Sequence, residues 1–593
     1  MIQSKISIYN VNIIKVLMIC IVVLLGSCAS DHKRLVPANQ VTQTNTAKQS
    51  KITLLPPAAA IASAHPLATQ AGIEILAQGG NAFDAAITVA AVLAVVEPSG
   101  SGLGGGAFWL LHRASDNKQV MLDSRETAPM AAHRDLYLDK NGQVESQKSL
   151  DGALAAGIPG VPAAMVYLAE HYGQLPLSST LAPAINLARG GFIVDDHLLR
   201  LLKMRKEALL ASTGTASIFL DKGRVPAPGT RLVQIDLANT LSALAKQGHA
   251  GFYSGEIAEK LVAGVQSGGG IWSLEDLSSY KVVEREPIIG EYQGVRIVSA
   301  APPSSGGLVL METLNILAGY PLEQLDSAAR MHLIVEAWKR AYRDRAEYMG
   351  DPDFVTMPTE RLLSQDYANA LKTTIRDNLA LPSKYLAAPQ SEQPQGNNTT
   401  HFSVLDKHGN RVATTLSINY PFGSGFIAEG TGVLLNDEMD DFAASAESQN
   451  VYGLVGGDAN SIAPGKRMLS SMTPTFFESK DRIAIVGTPG GSRIITMVCL
   501  ALLDFVEGHT PDSWVSVPRF HHQFIPDQIQ YEPDALSTAE IQALQQRGHI
   551  LKASNRHYGN MHAIEWNQTL NTVKAASDPR GIGLAVVKSL TVK

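Results

Sequence analysis

Hydrophobic and polar positions divide this chain into stretches of different character. Lys5 and Lys15 are followed by an uncharged apolar run at 16–25. Charged then apolar is the order of a secretory leader. The run falls short of the roughly 20 apolar residues that a membrane span needs. Residues 31–50 are polar and aperiodic, as in a flexible tether. From Pro66 the apolar residues Leu67, Ala71, Ile73, Ile75 and Leu76 predict a helix that Gly79 and Gly80 close. Residues 81–96 predict a second helix, apolar nearly all round and therefore buried on every side. Short strands are predicted at 107–111, 120–123, 432–435 and 483–486, scaffold helices at 181–189, 198–210, 235–247, 255–265 and 328–348, and a further helix from Ser492 onward.

The chemistry gathers at 396–419. Residues 400–405 and 411–418 are rich in β-branched and apolar side chains and flank a polar turn whose Gly409 tolerates positive φ, which predicts a hairpin. Alternate residues of a strand share a face, so Thr399, His401 and Ser403 point one way, and Thr415, Ser417 and Asn419 share a face of the partner. A three-residue loop at 407–409 would set Ser417 opposite Thr399; a loop one residue longer would spoil that pairing. Before the hairpin, 387–398 carries two prolines, many amides and almost no apolar residue, the composition of an exposed linker. A linker that ends on a hydroxyl residue opening a strand suggests a chain that cuts itself between Asn398 and Thr399. Thr399 would then own both a hydroxyl and an α-amine, and the amine can activate the hydroxyl.

Composition removes several alternatives. A net charge of −6 without a basic tract argues against nucleic acid as a partner. Of three cysteines, Cys20 lies in the leader and Cys28 directly follows Leu25-Gly26-Ser27, leaving Cys499 with no disulfide partner, so stability must come from a large core. The glycines at 100–106 precede a strand instead of following one, which excludes a phosphate loop and points to close backbone packing. Four acids at 437–441 lack the spacing and glycine of a calcium loop. His521 and His522 have no third ligand at recognisable spacing, so no metal is expected. No cofactor is expected either.

The motifs Gly79-Gly80-Asn81-Ala82-Phe83-Asp84-Ala85-Ala86, Ser101-Gly102-Leu103-Gly104-Gly105-Gly106, Asp123-Ser124-Arg125-Glu126, Thr399-Thr400-His401-Phe402, the segment 436–442, Leu469-Ser470-Ser471-Met472 and Pro489-Gly490-Gly491-Ser492-Arg493 resemble, in this order, the γ-glutamyltransferases of the N-terminal-nucleophile hydrolase superfamily. The resemblance runs from about Ala59 to the C-terminus. It implies an α+β chain with a four-layer αββα fold: leader 1–27, tether 28–58, large subunit 59–398 and small subunit 399–593, the two subunits forming one interdigitated heterodimer. Leu25-Gly26-Ser27-Cys28 resembles a lipobox with Cys28 as the lipidated residue. The expected place is the periplasm, on a bacterial membrane, with the outer membrane as the expectation.

The resemblance also assigns roles. Thr399 would be the nucleophile, with the Ser417 hydroxyl beside its amine. Arg125 would grip the α-carboxylate of a glutamyl substrate in its planar fork, helped by Ser470 and Ser471. Asp441, assisted by Glu438, would pair the α-ammonium, and Asn419 would bind substrate. The N–H groups of Gly490 and Gly491 would form the oxyanion hole, and Tyr452 would belong to a lid. Many members have threonine at Ser417 and some have glutamine at Glu438, which leaves the role of that charge open. Glutathione and other γ-glutamyl compounds would be donors, and water or amino acids and peptides acceptors. A β-lactam or poly-γ-glutamate acylase, and a lipid-anchored protein without catalysis, are the alternatives.

Overall fold

The computed structural model describes residues 54–386, 399–444 and 450–590. The leader, Cys28, most of the tether, Asn398 and the linker at 387–398 lie outside the described residues. Two antiparallel sheets lie face to face. The first runs Leu584–Lys588, Ala59–Ser63, Thr400–Leu405, Arg411–Ser417, Gly106–Arg113, Lys118–Ser124 and Val283–Arg285 from edge to edge. The second runs Thr572–Ser577, His562–Asn567, Arg482–Gly487, Thr475–Glu478, Val295–Ser299 and Ile288–Tyr292.

Helices Pro66–Ala77, Ala82–Val96, Val161–His171 and Leu177–Gly190 share one apolar core with the outer face of the first sheet. A second core extends from that sheet's inner face through the second sheet to helices Gly306–Leu317, Ser327–Tyr348 and Ile494–Val506. This is the αββα layering expected.

Helix Ala82–Val96 has every residue buried, as its all-round apolarity requires. Asn81 and Asp84 start it as a reciprocal capping box. At the glycine-rich stretch, a Cβ on Gly104 would strike the Leu434 carbonyl and one on Gly105 the Ser417 carbonyl. Bare backbone is needed there, beside the end of the strand that carries Ser417.

Two expectations change. Residues 432–435 were expected as a strand, but form only isolated bridges from Leu434 to Ile427 and from Leu435 to Gly104. Gly432 holds φ +64° where a Cβ would strike the Leu237 amide, so packing against a helix start dictates the backbone. The helix expected from Ser492 begins at Ile494, after a single 3₁₀ turn, Gly491–Arg493.

Candidate active site

The hairpin has the register that a three-residue loop imposes. Leu405 pairs with Arg411 and Thr400 with Leu416, which sets Thr399 across from Ser417. Gly409 in the loop has φ +87°. The hydroxyls of Thr399 and Ser417 are 3.5 Å apart. The polar side chains of this face are buried, not solvated. His401 lies between the Thr415 hydroxyl (2.9 Å) and the Ser403 hydroxyl (3.2 Å), and Ser403 donates to the carbonyls of Ile485 and His562 in the second sheet. Burial holds His401 well below the usual imidazole range, so it is a neutral spacer between sheets.

The strand ends at Ser417, and two residues on, Asn419 has a φ of +70°, a left-handed conformation that asparagine tolerates better than most residues. Its N–H donates to Ser417 Oγ (2.8 Å), its Nδ2 to the Asp437 carbonyl (3.0 Å), and its carbonyl accepts from Tyr452 Oη (2.6 Å). The Tyr452 ring lies directly on Gly491, where a Cβ would strike it. Gly490 and Gly491 both have positive φ, 147° and 58°, and turn the backbone between the strand Arg482–Gly487 and the following helix.

Arg125 is 1% exposed, although an arginine at a strand end is more often a surface charge. Its Nη1 donates to Glu438 Oε2 (2.5 Å), its Nη2 to Asp441 Oδ2 (2.6 Å) and its Nε to the Met468 carbonyl (3.2 Å). Glu126 lies 3.5 Å from Nη1. Burial works against the guanidinium charge, but Glu438, Glu126 and Asp441 outweigh it and hold its pKa above the usual value. Burial pushes Glu438 up to about 7, against the pull of Arg125. Asp441 also accepts from Asn450 Nδ2 (2.6 Å), which ties the acidic turn to the segment carrying Tyr452.

Thr399, Ser417, Asn419, Arg125, Glu438, Asp441, Tyr452, Ser470, Ser471 and Gly491 all line one small pocket. Gly490 lines the adjoining cleft, which Thr399 also borders. Arg125 and Asp441, far apart in sequence, thus meet beside the nucleophile candidate.

The Gamma-glutamyltranspeptidase family model matches residues 68–587. The chain belongs to the γ-glutamyltranspeptidase family. It is 44% identical over 482 residues to a glutathione hydrolase proenzyme of Pseudomonas sp. (strain A14), covering 80% of this chain and 84% of that one. To the glutathione hydrolase proenzyme of Escherichia coli (strain K12) it is 41% identical over 536 residues, covering 88% and 90%. The crystal structure of cephalosporin acylase from Bacillus halodurans superimposes with a TM-score of 0.80 at 28% identity, covering 92% of this chain and 99% of that one. The fold is that of the N-terminal-nucleophile hydrolases.

Sequence reasoning missed three residues. Arg345, buried in helix Ser327–Tyr348, donates to Ser305 Oγ (2.9 Å) and Ser471 Oγ (3.4 Å). Burial lowers its pKa to about 10. Its cue was only a basic residue late in a long helix. Asn450 holds Asp441, and Tyr280 Oη donates to the Arg125 carbonyl (2.8 Å). Neither stands in a motif that could have revealed it.

Proposed function

We propose that the chain is a self-processing γ-glutamyltransferase and glutathione hydrolase. The observation that carries this reading is the convergence of Arg125 and Asp441 on the pocket that Thr399 lines. In processing, the Thr399 hydroxyl attacks the Asn398 carbonyl, the acyl group shifts from N to O, and water splits the ester into large and small subunits. The mature Thr399 uses its α-amine as base, with Ser417 beside it, and attacks the γ-carbonyl of glutathione or another γ-glutamyl amide. Gly490 and Gly491 N–H groups receive the oxyanion, each donor contributing about 2.7–4 kcal/mol in comparable sites. The amine leaves, and water or an acceptor amine takes the γ-glutamyl group from the ester. Ser470 and Ser471 assist Arg125 at the α-carboxylate, and Asn419 orients the donor.

The amino-acid clamp separates this reading from a β-lactam or poly-γ-glutamate acylase. A glutaryl group matches a γ-glutamyl group but lacks the α-ammonium. It would leave Asp441 without a cation beside an incoming carboxylate, a defect of about 3 kcal/mol. Hydrolysis of γ-glutamyl p-nitroanilide is therefore expected to exceed that of glutaryl p-nitroanilide at least a hundredfold in kcat/KM. Equal rates would refute the clamp. For location, we infer export with cleavage after Ser27 and an anchor on Cys28. The lipobox-like sequence supports this, and no helix among the described residues is long and apolar enough to cross a membrane. Radiolabelled palmitate in wild type but not in Cys28→Ser is the expected outcome.

A further inference from the structure

Self-cleavage turns Thr399 from an interior residue into a chain end. The peptide bond to Asn398 then no longer restrains it, and terminal residues fray unless something ties them down. The hairpin ladder alone does not reach it: the last pair is Thr400 with Leu416, one residue short of Thr399. A nucleophile must nevertheless keep its place, because a displacement of about 1 Å can lower a rate about a hundredfold.

Thr400 is held from the other side of the sheet. Alternate residues of a strand face opposite ways, so Thr399 turns to Ser417 and the pocket while Thr400 turns to the helical layer. There the buried Thr400 Oγ1 donates to Glu97 Oε2 at 2.6 Å. Glu97 is the C-cap of helix Ala82–Val96, which is buried along its whole length. Its N–H donates to the Leu93 carbonyl (2.8 Å), and its own carbonyl accepts from the Gly100 N–H (3.0 Å). The carboxyl is thus mounted on a rigid support. A Cβ on Gly100 would lie 3.5 Å from both the Glu97 carboxyl and the Thr399 carbonyl oxygen, so these groups pack around one stretch of bare backbone. Burial works against the carboxylate and pushes Glu97 up to about 7, a penalty that an apolar residue ending this apolar helix would avoid.

We propose that Glu97 is a positioning residue for the nucleophile. Through the Thr400 hydroxyl it holds the chain end that carries Thr399 against the pocket. It is needed for turnover and not for self-cleavage, during which the chain is still tied on both sides of Thr399. This inference rests on the donor reading above, with Thr399 as nucleophile, and adds to it a residue that acts through Thr400 and not on the substrate.

The test uses the full chain as wild type, Glu97→Ala, Glu97→Gln, Thr400→Val, Thr400→Ser and the double variant Glu97→Ala/Thr400→Val. Subunits are followed on a denaturing gel, folding by urea unfolding, and kcat and KM separately with γ-glutamyl p-nitroanilide. Glu97→Ala and Thr400→Val should each lower kcat about tenfold, as for a lost hydrogen bond to a charged group. KM should stay within about twofold, because Arg125 and Asp441 stand on other segments. The double variant should be no slower than either single one, since both remove the same bond. Glutamine keeps the acceptor and serine the hydroxyl, and each should restore most of the loss. Thr400→Val leaves the carboxyl in place and tests the same bond should Glu97→Ala not fold. Unimpaired kcat, a loss confined to KM, or losses that multiply in the double variant would overturn the proposal. So would folded variants that fail to yield subunits. A wild type that yields subunits without γ-glutamyl turnover would instead refute the donor reading, and this inference with it.

Discussion

Replacing Arg125 by lysine keeps the charge and removes the fork, which isolates what the geometry contributes. Two nitrogens of the guanidinium serve two carboxylates at 2.5 and 2.6 Å while Nε serves the Met468 carbonyl. One ammonium on a shorter reach cannot serve Glu438 and Asp441 together. A lost hydrogen bond between charged groups costs about 1.5–3 kcal/mol, so kcat/KM for γ-glutamyl p-nitroanilide should drop roughly tenfold to a hundredfold. The cost in stability should be smaller than the 3–5 kcal/mol typical of a broken buried pair, about 2 kcal/mol, because an abandoned Glu438 can take a proton. Even beside Arg125 its pKa is already about 7. Subunit appearance uses Thr399 and its own hairpin, not the distant clamp, and should slow far less than turnover. The assay follows both in one preparation: subunits on a denaturing gel and anilide hydrolysis by absorbance. Unimpaired turnover with failed processing would make Arg125 structural and refute the clamp.

Two further outcomes follow from the same geometry. Thr399→Ala, lacking the hydroxyl, should remain a single chain, while wild type yields a small subunit whose first residue by mass spectrometry is Thr399; an intact, active wild type would refute self-cleavage at this bond. Glu97→Gln should change the pH dependence of stability, measured by urea unfolding in the uncut Thr399→Ala chain so that a single chain is compared. Burial raises the folded pKa of Glu97 from 4.5 to about 7. The native state therefore binds more protons than the unfolded one, and the carboxyl's contribution is fully present below pH 4.5, falls through the interval and is lost above pH 7. The loss amounts to about 3 kcal/mol. Glutamine should remove that loss while still accepting from Thr400, and equal pH profiles for the two chains would show that Glu97 does not titrate as described.

What was legible in the sequence was local or strongly periodic. The register of the hairpin follows from a loop length, and a slip by one residue would have turned Thr399 and His401 to the opposite face. The buried helix Ala82–Val96 announced itself by the absence of a polar side. Arg125 was different: its own neighbourhood reads as an exposed strand end, and only its likeness to a family motif placed it in a pocket. Its direct pairing with both Glu438 and Asp441 left no trace in sequence, because side chains from separate segments choose partners only when the fold brings them together. At Gly432 a contact with Leu237 overrode the strand pattern, and sequence periodicity carries no information about a neighbour nearly two hundred positions away.

The self-paired state of Arg125 bears on how a donor is admitted. A buried guanidinium facing bulk solvent loss alone would be costly, and Glu438, Asp441 and Glu126 offset that cost within the pocket. An α-amino acid head group is a zwitterion of no net charge. Its carboxylate can take a place at the fork while its ammonium takes Asp441, so each buried charge keeps an opposite partner and the balance of the pocket is unchanged. A simple anion would add a negative charge among three carboxyls, and a simple amine would leave Arg125 where it was, still bound to its own acids. Tyr452, held at the Asn419 carbonyl and lying on Gly491, lines this pocket, and ion pairs shielded from water there are stronger than in solvent. Exchange of partners, and not attraction to an open charge, is therefore how this pocket would select an amino acid.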